Sequence, residues 1–511
     1  MNEKKKSKSI LLKILICCVI CALVILTPVM QAYAIPTEQG NAIQQLLDDA
    51  IRISGTPGIS VAVISGNQTH FFNAGHTSVR NRSNATLVDE HTLYEIGSTS
   101  KAFTAVGILL LEEQGLLSTS DRIEEHLPWF YLTYQNEVVA VTIQQLLNHT
   151  SGLTQAHSDA PRGEGADMLR RTVEPFVGAR LAFAPGTAHS YGNANYNILG
   201  LIIEYVTGQS YESFMIEQVF EPLGLHQTFL FHSEAIATGR MAQGHRHAFF
   251  MTFTYNAPRY GGMKPTGFII SSTYDMARWM GIHLGIVQDI PDIFLPVIER
   301  AHQPCPQHGP VTKTVDTLSF YAGGWINNPN MGWLSHAGQT PSFLCEVVLW
   351  TEDELGIVFL SNDGSVDLDL TLWIRAILDG DLQQSYLRSF EQIQDMMFSV
   401  IIAVLTILSV YWLVASIRNR KKNKPIFTKS KIILLVIYVV AAIYTLVDLV
   451  RIPSTSGQGW LYFFDWGAPT NIIMQFMMPI ASIILVWYAY TKKPKKQKKS
   501  KEQKKSKIEE S

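Results

Sequence analysis

The spacing of apolar residues along the chain predicts helices and strands in a definite order. In the segment EQGNAIQQLLDDAIRI, residues Ile43, Leu46 and Leu47 recur at three- and four-residue intervals, which predicts an amphipathic helix. The segments GISVAVIS and THFFNAG follow, and they are joined by Gly66 and Asn67, a pair that favours the tight turn of a β-hairpin. A helix and a hairpin are therefore expected first.

The middle of the chain has mostly helical spacing, and strands return late. The segment KAFTAVGILLLEEQGLL is apolar on nearly all sides, which predicts a helix buried in the domain centre. NILGLIIEYVTG and YESFMIEQVFEPLG are the clearest helical segments, and each ends at a glycine or proline signal. Strand-like runs then appear in SFYAGGWIN, GWLSHAG, FLCEVVLW and LGIVFLSND, before a last amphipathic helix in VDLDLTLWIRAIL. This order predicts an α+β fold whose sheet is assembled from distant pieces of the chain.

Longer apolar runs flank this region and predict contact with membrane lipid. A basic stretch, an apolar run and the small residues around Ala34 predict a signal peptide over residues 1–34, with an uncleaved anchor as the alternative. Three C-terminal runs, at about 396–417, 432–450 and 471–490, are long enough to span a bilayer. We expect an anchor. A transport unit is the alternative, but intramembrane charges are missing apart from Asp448, near the outer end of its run.

The formal net charge of −2 hides a segregated pattern. Between residues 35 and 393, 36 acidic residues stand against 15 arginines and three lysines, a net charge of −18. This acidic region argues against a nucleic-acid partner. The lysine-rich segments after the first and third runs belong in the cytoplasm by the positive-inside rule, and the acidic domain belongs outside. The expected organisation is a signal peptide or anchor (1–34), an extracellular domain (35–385), a linker with three transmembrane helices (386–491) and a cytoplasmic tail (492–511).

Two cysteines, Cys305 and Cys345, fall in the region expected outside the cell. The oxidising exterior permits a disulfide between them, and two free thiols are an equal alternative.

The segment YEIGSTSKAFTA contains the one serine in the chain that stands three residues before a lysine. At a helix start, residues i and i+3 share a face, so the Lys101 amine can lie beside the Ser98 hydroxyl. Burial would lower the pKa of that amine and make it a base for a serine nucleophile. The alternative is an N-cap serine followed by a lysine that reaches to solvent.

Two further polar clusters are weak signals when taken alone. Tyr191 and Asn193 lie in a predicted loop before an apolar helix, where tyrosines and asparagines are common. His336 and Gly338 lie at the end of a predicted strand, where glycine allows a ligand backbone to approach the sheet edge. A lone histidine there is more often a surface or hydrogen-bonded core residue.

Taken together and in order, the three motifs resemble those of the serine β-lactamase and penicillin-binding protein superfamily. The Tyr-x-Asn form looks like the class C β-lactamase and low-molecular-weight D,D-peptidase branch. The strings QLLNHTSGL, APGTAHSYGNANYNILGLIIEYVTGQSY, FEPLGL and GGMKPTGFIISSTYDMARWM also resemble that family, and the likeness covers about residues 40 to 365. The three C-terminal spans resemble a Gram-positive subgroup of membrane-bound relatives, which includes an esterase-like branch.

The resemblance implies an antiparallel sheet flanked by helices, with an all-helical insertion, ahead of the three transmembrane helices. It implies no cofactor and no metal ion. Ser98 would be the acylated nucleophile, with Lys101 and Tyr191 moving its proton. Asn193 would bind the substrate amide and hold Lys101. Substrates would be cell-envelope D-alanyl peptides or esters, or β-lactams.

The resemblance also implies an oxyanion hole made of the backbone N–H groups of Ser98 and Gln339, the residue after Gly338. His336 stands where many members carry lysine, beside the substrate's carboxylate or the serine. With an ordinary pKa near 6.5, this histidine would carry a charge only part of the time at neutral pH. Efficient β-lactamase action is therefore not expected. A catalytically silent sensor that signals through the helices is the alternative to an enzyme.

Overall fold

A computed structural model describes residues 35–491 apart from 80–85, 158–159, 304–311, 314–317 and most of 421–468. The predicted signal peptide and cytoplasmic tail lie outside the described residues, and so does nearly all of the second predicted span. Cys305 lies outside them too. Cys345 has a free, buried thiol.

The elements follow in the order α1 Thr37–Ser54, β1 Gly58–Ser65, β2 Gln68–Gly75, β3 Tyr94–Glu95, α2 Ser100–Glu113, α3 Ile123–His126, β4 Leu132–Tyr134, β5 Glu137–Val139, α4 Ile143–Leu147, α5 Met168–Val173, α6 Asn193–Thr207, α7 Tyr211–Met215, α8 His232–Ala237, β6 His245–Ala248, β7 Met251–Thr254, α9 Lys264–Gly267, β8 Ile270–Ser271, α10 Thr273–His283, α11 Phe294–His302, β9 Thr312–Lys313, β10 Leu318–Ala322, β11 Trp325–Asn328, β12 Trp333–Gln339, β13 Leu344–Trp350, β14 Leu355–Ser361, α12 Leu370–Leu378, α13 Phe390–Arg420 and α14 Pro469–Thr491. A 3₁₀ turn, Gly97–Thr99, joins β3 to α2.

The main sheet is assembled from both ends of the domain, as the sequence predicts. Its strand order is β2-β1-β14-β13-β12-β11-β10-β9. The N-terminal strand β1 pairs antiparallel with the late strand β14, with Val61 opposite Phe359. Because side chains alternate along a strand, Val61 packs into the core under α1 and α12, while Ala62 packs into the larger core that contains α2. The sheet is therefore covered on both faces.

Helix α2 lies at the centre of the larger core. Its residues from Ser100 to Leu111 are all buried, which confirms the prediction of a central helix. The Phe103 ring stacks on Trp279 with 3.9 Å between centroids. The 3₁₀ turn before α2 contacts β12 and β13, so the N-terminus of α2 lies against the sheet.

The region between the two parts of the sheet is not all helical, contrary to the expectation. It contains the short hairpins β4–β5 and β6–β7. Their turns use positive φ angles at Gln135 and Asn136 and at Phe249 and Phe250. Strands of three or four residues are too short for a periodic signal, and Phe-Phe is not a usual turn pair, so the sequence did not indicate them.

The first predicted span corresponds to α13, whose residues Phe390–Arg418 form one helix long and apolar enough to cross a membrane. Helix α14 packs along α13. Its apolar part, Pro469–Leu485, is shorter than the apolar helix of α13. Within the described residues, α13 therefore corresponds to the first predicted span and α14 to the third.

Candidate active site

Ser98, the predicted nucleophile, lies in the 3₁₀ turn between β3 and α2. Gly97 has φ +54°, a left-handed value that favours glycine. A Cβ atom on Gly97 would overlap the Gln339 backbone nitrogen at the end of β12. The turn therefore presses Ser98 against the end of this strand. The structure contradicts the alternative of an N-cap serine, since α2 has no side-chain cap at its N-terminus.

Lys101 brings three parts of the site together. Its Nζ lies 3.1 Å from Ser98 Oγ, 3.0 Å from Asn193 Oδ1 and 2.7 Å from the Thr266 carbonyl oxygen. The side chain is completely buried and does not reach solvent. This burial holds the pKa of the Lys101 amine well below its usual value. An uncharged amine 3.1 Å from the hydroxyl is able to accept its proton.

Tyr191 and Asn193 enter the site from the start of α6. The Lys101 Nζ lies 4.8 Å from the centroid of the half-buried Tyr191 ring. Asn193 Oδ1 also accepts a hydrogen bond of 3.0 Å from the Thr266 hydroxyl. Thr266 thus positions the Lys101 amine through its carbonyl oxygen and the Asn193 amide through its hydroxyl. Thr266 was not among the predicted site residues.

His149 lies behind Tyr191 and was also not predicted as a site residue. The two rings are 4.4 Å apart between centroids. His149 Nδ1 accepts hydrogen bonds from Asn195 Nδ2 at 3.0 Å and from the Gly192 N–H at 3.3 Å. Burial, followed by repulsion from Lys101, lowers the pKa of His149 well below its ordinary value. The string QLLNHTSGL contains this residue, but no pattern within the string indicates its contact with Tyr191.

Glycine at position 338 allows strand β12 to approach Ser98 closely. A Cβ atom there would overlap the Ile96 carbonyl oxygen and lie 2.9 Å from the Ser98 nitrogen. Gln339 follows as the last residue of β12, with an exposed side chain. The backbone nitrogens of Ser98 and Gln339 therefore lie close together, as an oxyanion hole requires.

His336 lies in the same region, but its environment differs from the expected one. Its Nδ1 donates to the Ala337 carbonyl oxygen at 2.6 Å, so its Nε2 accepts from the Tyr321 hydroxyl at 3.0 Å. Burial, followed by repulsion from Lys101, lowers the pKa of His336 to about 3. The ring is uncharged at neutral pH. The expectation of a partial positive charge is corrected, because the side chain is only 5% exposed.

The motifs that are far apart in sequence therefore meet around one serine. Lys101, Tyr191 and Asn193 lie on one side of Ser98, while His336, Gly338 and Gln339 lie on the strand side. Among the described residues, no group of three or more His, Cys, Asp or Glu side chains is placed to hold a metal ion.

Comparison with known proteins decides the family. The family model described as Beta-lactamase matches residues 42–381. The chain belongs to this family. The protein Flp of Staphylococcus aureus strain MRSA252 is 25% identical over 477 residues, which cover 88% of this chain and 92% of Flp. Penicillin-binding protein 4 of Amycolatopsis lactamdurans is 30% identical over 284 residues, which cover 54% of this chain and 72% of that protein.

Other matches cover a smaller share of the matched protein, or they have an identity low enough to show the fold alone. Against Flp of S. aureus strain MW2, at 28% identity, the chain spans 62% of the relative's length. The octameric penicillin-binding protein homologue of Pyrococcus abyssi has a TM-score of 0.58 at 23% identity and covers 68% of this chain and 79% of its own. The D-alanine carboxypeptidase AmpC of Burkholderia cenocepacia has a TM-score of 0.54 at 20% identity, with coverages of 67% and 98%. The chain has the α+β fold of the serine β-lactamase and penicillin-binding protein superfamily.

Proposed function

We propose that the protein is a membrane-anchored extracellular serine hydrolase that acts through an acyl-enzyme. Its substrates are D-alanyl peptides, D-alanyl esters or β-lactam-type molecules of the cell envelope. The observation that carries the proposal is the buried Lys101 amine, held 3.1 Å from Ser98 Oγ with its pKa lowered by burial.

In the proposed acylation step, Ser98 Oγ attacks the substrate carbonyl carbon and forms the new C–O bond. Its proton passes to the Lys101 amine, with Tyr191 as the partner that hands a proton to the leaving group. The carbonyl π electrons move to oxygen, and this charge is stabilised by the N–H groups of Ser98 and Gln339. The bond to the leaving amine or alkoxide breaks, and water later releases the acyl group by the reverse proton path.

The remaining predicted residues bind rather than react in this proposal. Asn193 donates its amide N–H to the substrate while its Oδ1 stays with Lys101. Gly338 leaves room for the substrate backbone along β12. His336 contributes an uncharged ring at neutral pH, so the site does not rely on this residue to clamp a carboxylate.

The proposed topology has a signal peptide or anchor at residues 1–34, the hydrolase domain at 35–385, three spans within 386–491 and a cytoplasmic tail at 492–511. The length and apolar character of Phe390–Arg418 support it. The lysine-rich tail supports the orientation.

A second candidate function is a sensor that binds the same ligands and signals through the helices. The observation that favours it is the contact of Asp465, just before α14, with Arg162 of the hydrolase domain, with distances of 2.5 and 2.8 Å. This pair links the membrane-side segment to the domain that carries Ser98.

The test is intact-mass analysis of the full chain in detergent after exposure to penicillin and to a D-alanyl ester, with Ser98→Ala as the control. A mass increase of one acyl group on the wild type alone, followed by its loss with turnover, supports the hydrolase. An adduct that persists without turnover supports the sensor. Neither adduct nor hydrolysis by the wild type would refute the enzyme proposal.

A further inference from the structure

A cavity of about 590 Å³ lies between the β6–β7 hairpin, the end of α1 and the start of α13. Its wall is fixed by hydrogen bonds between the hairpin and α1. The Thr252 hydroxyl donates to the Gly55 carbonyl oxygen at 2.9 Å, and His247 Nδ1 donates to Thr252 Oγ1 at 3.0 Å. The lining residues used below are Arg52, His247, Phe250, Met251, Arg388 and Met396.

The tip of the β6–β7 hairpin exposes apolar side chains. Its turn is made by Phe249 and Phe250, whose φ angles of +54° and +64° are uncommon for bulky residues. Asn and Gly are the usual residues of such a turn. Phe250 is 54% exposed and Met251 is 65% exposed. The tip therefore keeps large apolar side chains at a cost in backbone strain, and an apolar partner would remove the cost of their exposure to water.

This tip lies level with the start of the two apolar helices. The Phe250 N–H donates to Asp395 Oδ2 at 3.4 Å, and Asp395 Oδ1 accepts from the Thr470 hydroxyl at 2.7 Å. Asp395 lies in the second turn of α13, and Thr470 is the second residue of α14. Met396, the next residue of α13, lines the same cavity as Phe250 and Met251. The apolar tip is thus continuous with the proposed membrane span, which favours lipid as its partner.

The polar side of the cavity is basic, although residues 35–393 carry a net charge of −18. Arg52, Arg388 and His247 line it, and no Asp or Glu is among the described residues of the lining. Arg52 pairs with Asp49 at 2.6 Å, but the arginine side chain is 69% exposed. Solvent screens such a pair, and the guanidinium keeps further N–H groups for an anion. Arg388 is also exposed.

We propose that this cavity binds one membrane phospholipid, with its headgroup phosphate between Arg52 and Arg388. Two guanidinium groups supply charge-assisted hydrogen bonds to the phosphate oxygens. An acyl chain lies along Phe250, Met251 and Met396 and continues into the hydrocarbon beside α13. The inference rests on the proposed anchoring through α13, and it adds a lipid site that has no part in the chemistry at Ser98.

The test is native mass spectrometry of the full chain in detergent, titrated with dioleoylphosphatidylglycerol. The wild type should retain one lipid, with an apparent Kd at least about tenfold below that of the Arg52→Gln, Arg388→Gln double variant, since hydrogen bonds to a charged group are worth that much. The matched control is the Arg170→Gln, Arg171→Gln double variant, which removes two exposed arginines of α5 outside the cavity. This control should bind the lipid like the wild type.

Three further measurements separate the phosphate from the acyl chains. Dioleoylglycerol, which lacks the phosphate, should bind the wild type at least about tenfold more weakly than the phospholipid. Inorganic phosphate at the same concentration should not displace the phospholipid, because it lacks the chains. Met251→Gln, a change of an exposed side chain at the hairpin tip, should weaken phospholipid binding at least about threefold.

Four results would overturn the lipid site. Equal binding of the phospholipid by the wild type and the Arg52→Gln, Arg388→Gln variant would show that the arginines do not hold it. Equal binding of dioleoylglycerol and the phospholipid would show an apolar groove alone. Displacement by inorganic phosphate would show an anion site that needs no lipid. A dimer that excludes the lipid would show that the hairpin tip is an interface between two copies of the chain.

Flotation with vesicles of dioleoylphosphatidylglycerol separates this inference from the proposed anchoring. If the wild type and the double arginine variant both float but bind the lipid equally in detergent, the anchor stands and the lipid site fails. If the lipid binds as stated but the wild type does not float, the lipid site stands and the anchor fails.

Discussion

Arg162 and Asp465, which are 303 positions apart in sequence, form a bidentate ion pair. Asp465 is nearly enclosed, with 6% of its side chain exposed, whereas Arg162 is 41% exposed. The Tyr260 hydroxyl donates to the same carboxylate. Asp465 is therefore attached to the loop that carries Tyr260 and leads directly into Gly261 and α9, which contains Thr266.

We predict that Arg162→Gln lowers the free energy of unfolding by about 1 kcal/mol, because solvent screens the exposed partner. Thermal unfolding of the full chain in detergent measures the change. The matched control is Arg240→Gln, whose pair with Asp89 is 3.5 Å long and half exposed on both sides. Equal effects of the two variants would show that the contact of Arg162 with Asp465 adds no more stability than the exposed pair of Arg240 with Asp89.

We predict that Lys101→Arg lowers kcat/KM by about 10²–10⁴-fold, because arginine stays protonated and cannot take the Ser98 proton. In the wild type, activity should rise with pH through the lowered pKa of Lys101, since the uncharged amine is the active form. Stopped-flow ester hydrolysis from pH 5 to 10 measures both effects.

The control for that experiment is Lys264→Gln, which removes a lysine whose Nζ pairs with Glu212 at 2.6 Å rather than with Ser98. This variant should keep the wild-type pH–rate profile. An active Lys101→Arg enzyme with an unaltered profile would show that another group is the base.

We predict that Gly97→Ala destabilises the fold by about 3 kcal/mol and abolishes acylation, because the new methyl group overlaps the Gln339 backbone. Gly115→Ala is the matched control, since Gly115 also has a positive φ, +69°, but has open space around it. That variant should cost only about 1 kcal/mol and leave acylation intact. Denaturant unfolding and penicillin adduct formation measure the two properties, and similar losses for both glycines would contradict the proposed contact.

We predict that His336 does not shape the activity profile between pH 5 and 8, because its pKa is lowered to about 3. The unfolded chain binds a proton near pH 6.5 that the folded chain does not. The contribution of the uncharged His336 to the free energy of unfolding is therefore complete above pH 6.5 and is lost as the pH falls towards 3.

Relative to His336→Gln, the wild type should lose up to about 1.4 kcal/mol for each pH unit below 6.5. Chemical denaturation at pH 4 to 8 tests this, with ester hydrolysis over pH 5 to 8 in parallel. A change in the hydrolysis profile near pH 6.5 that disappears in His336→Gln would show that the ring titrates in its ordinary range.

Much of the fold follows from local patterns. The period of apolar residues predicted α1, the β1–β2 hairpin, the buried α2 and the late strands, because burial of one face needs a repeating side-chain direction. The short hairpins β4–β5 and β6–β7 were missed, since three or four residues contain no readable period.

The sequence by itself predicted the candidate site residues, from the Ser98 and Lys101 spacing within one helix turn and from the resemblance of three ordered motifs to a family. Only the tertiary structure decided their chemistry. Burial removes water from Lys101, the Thr266 carbonyl fixes its amine, and burial lowers the pKa of His336. The pair of Arg162 with Asp465 also arises only on folding. These partners lie far away along the chain, and a pKa or a contact depends on distance in space rather than on position in sequence.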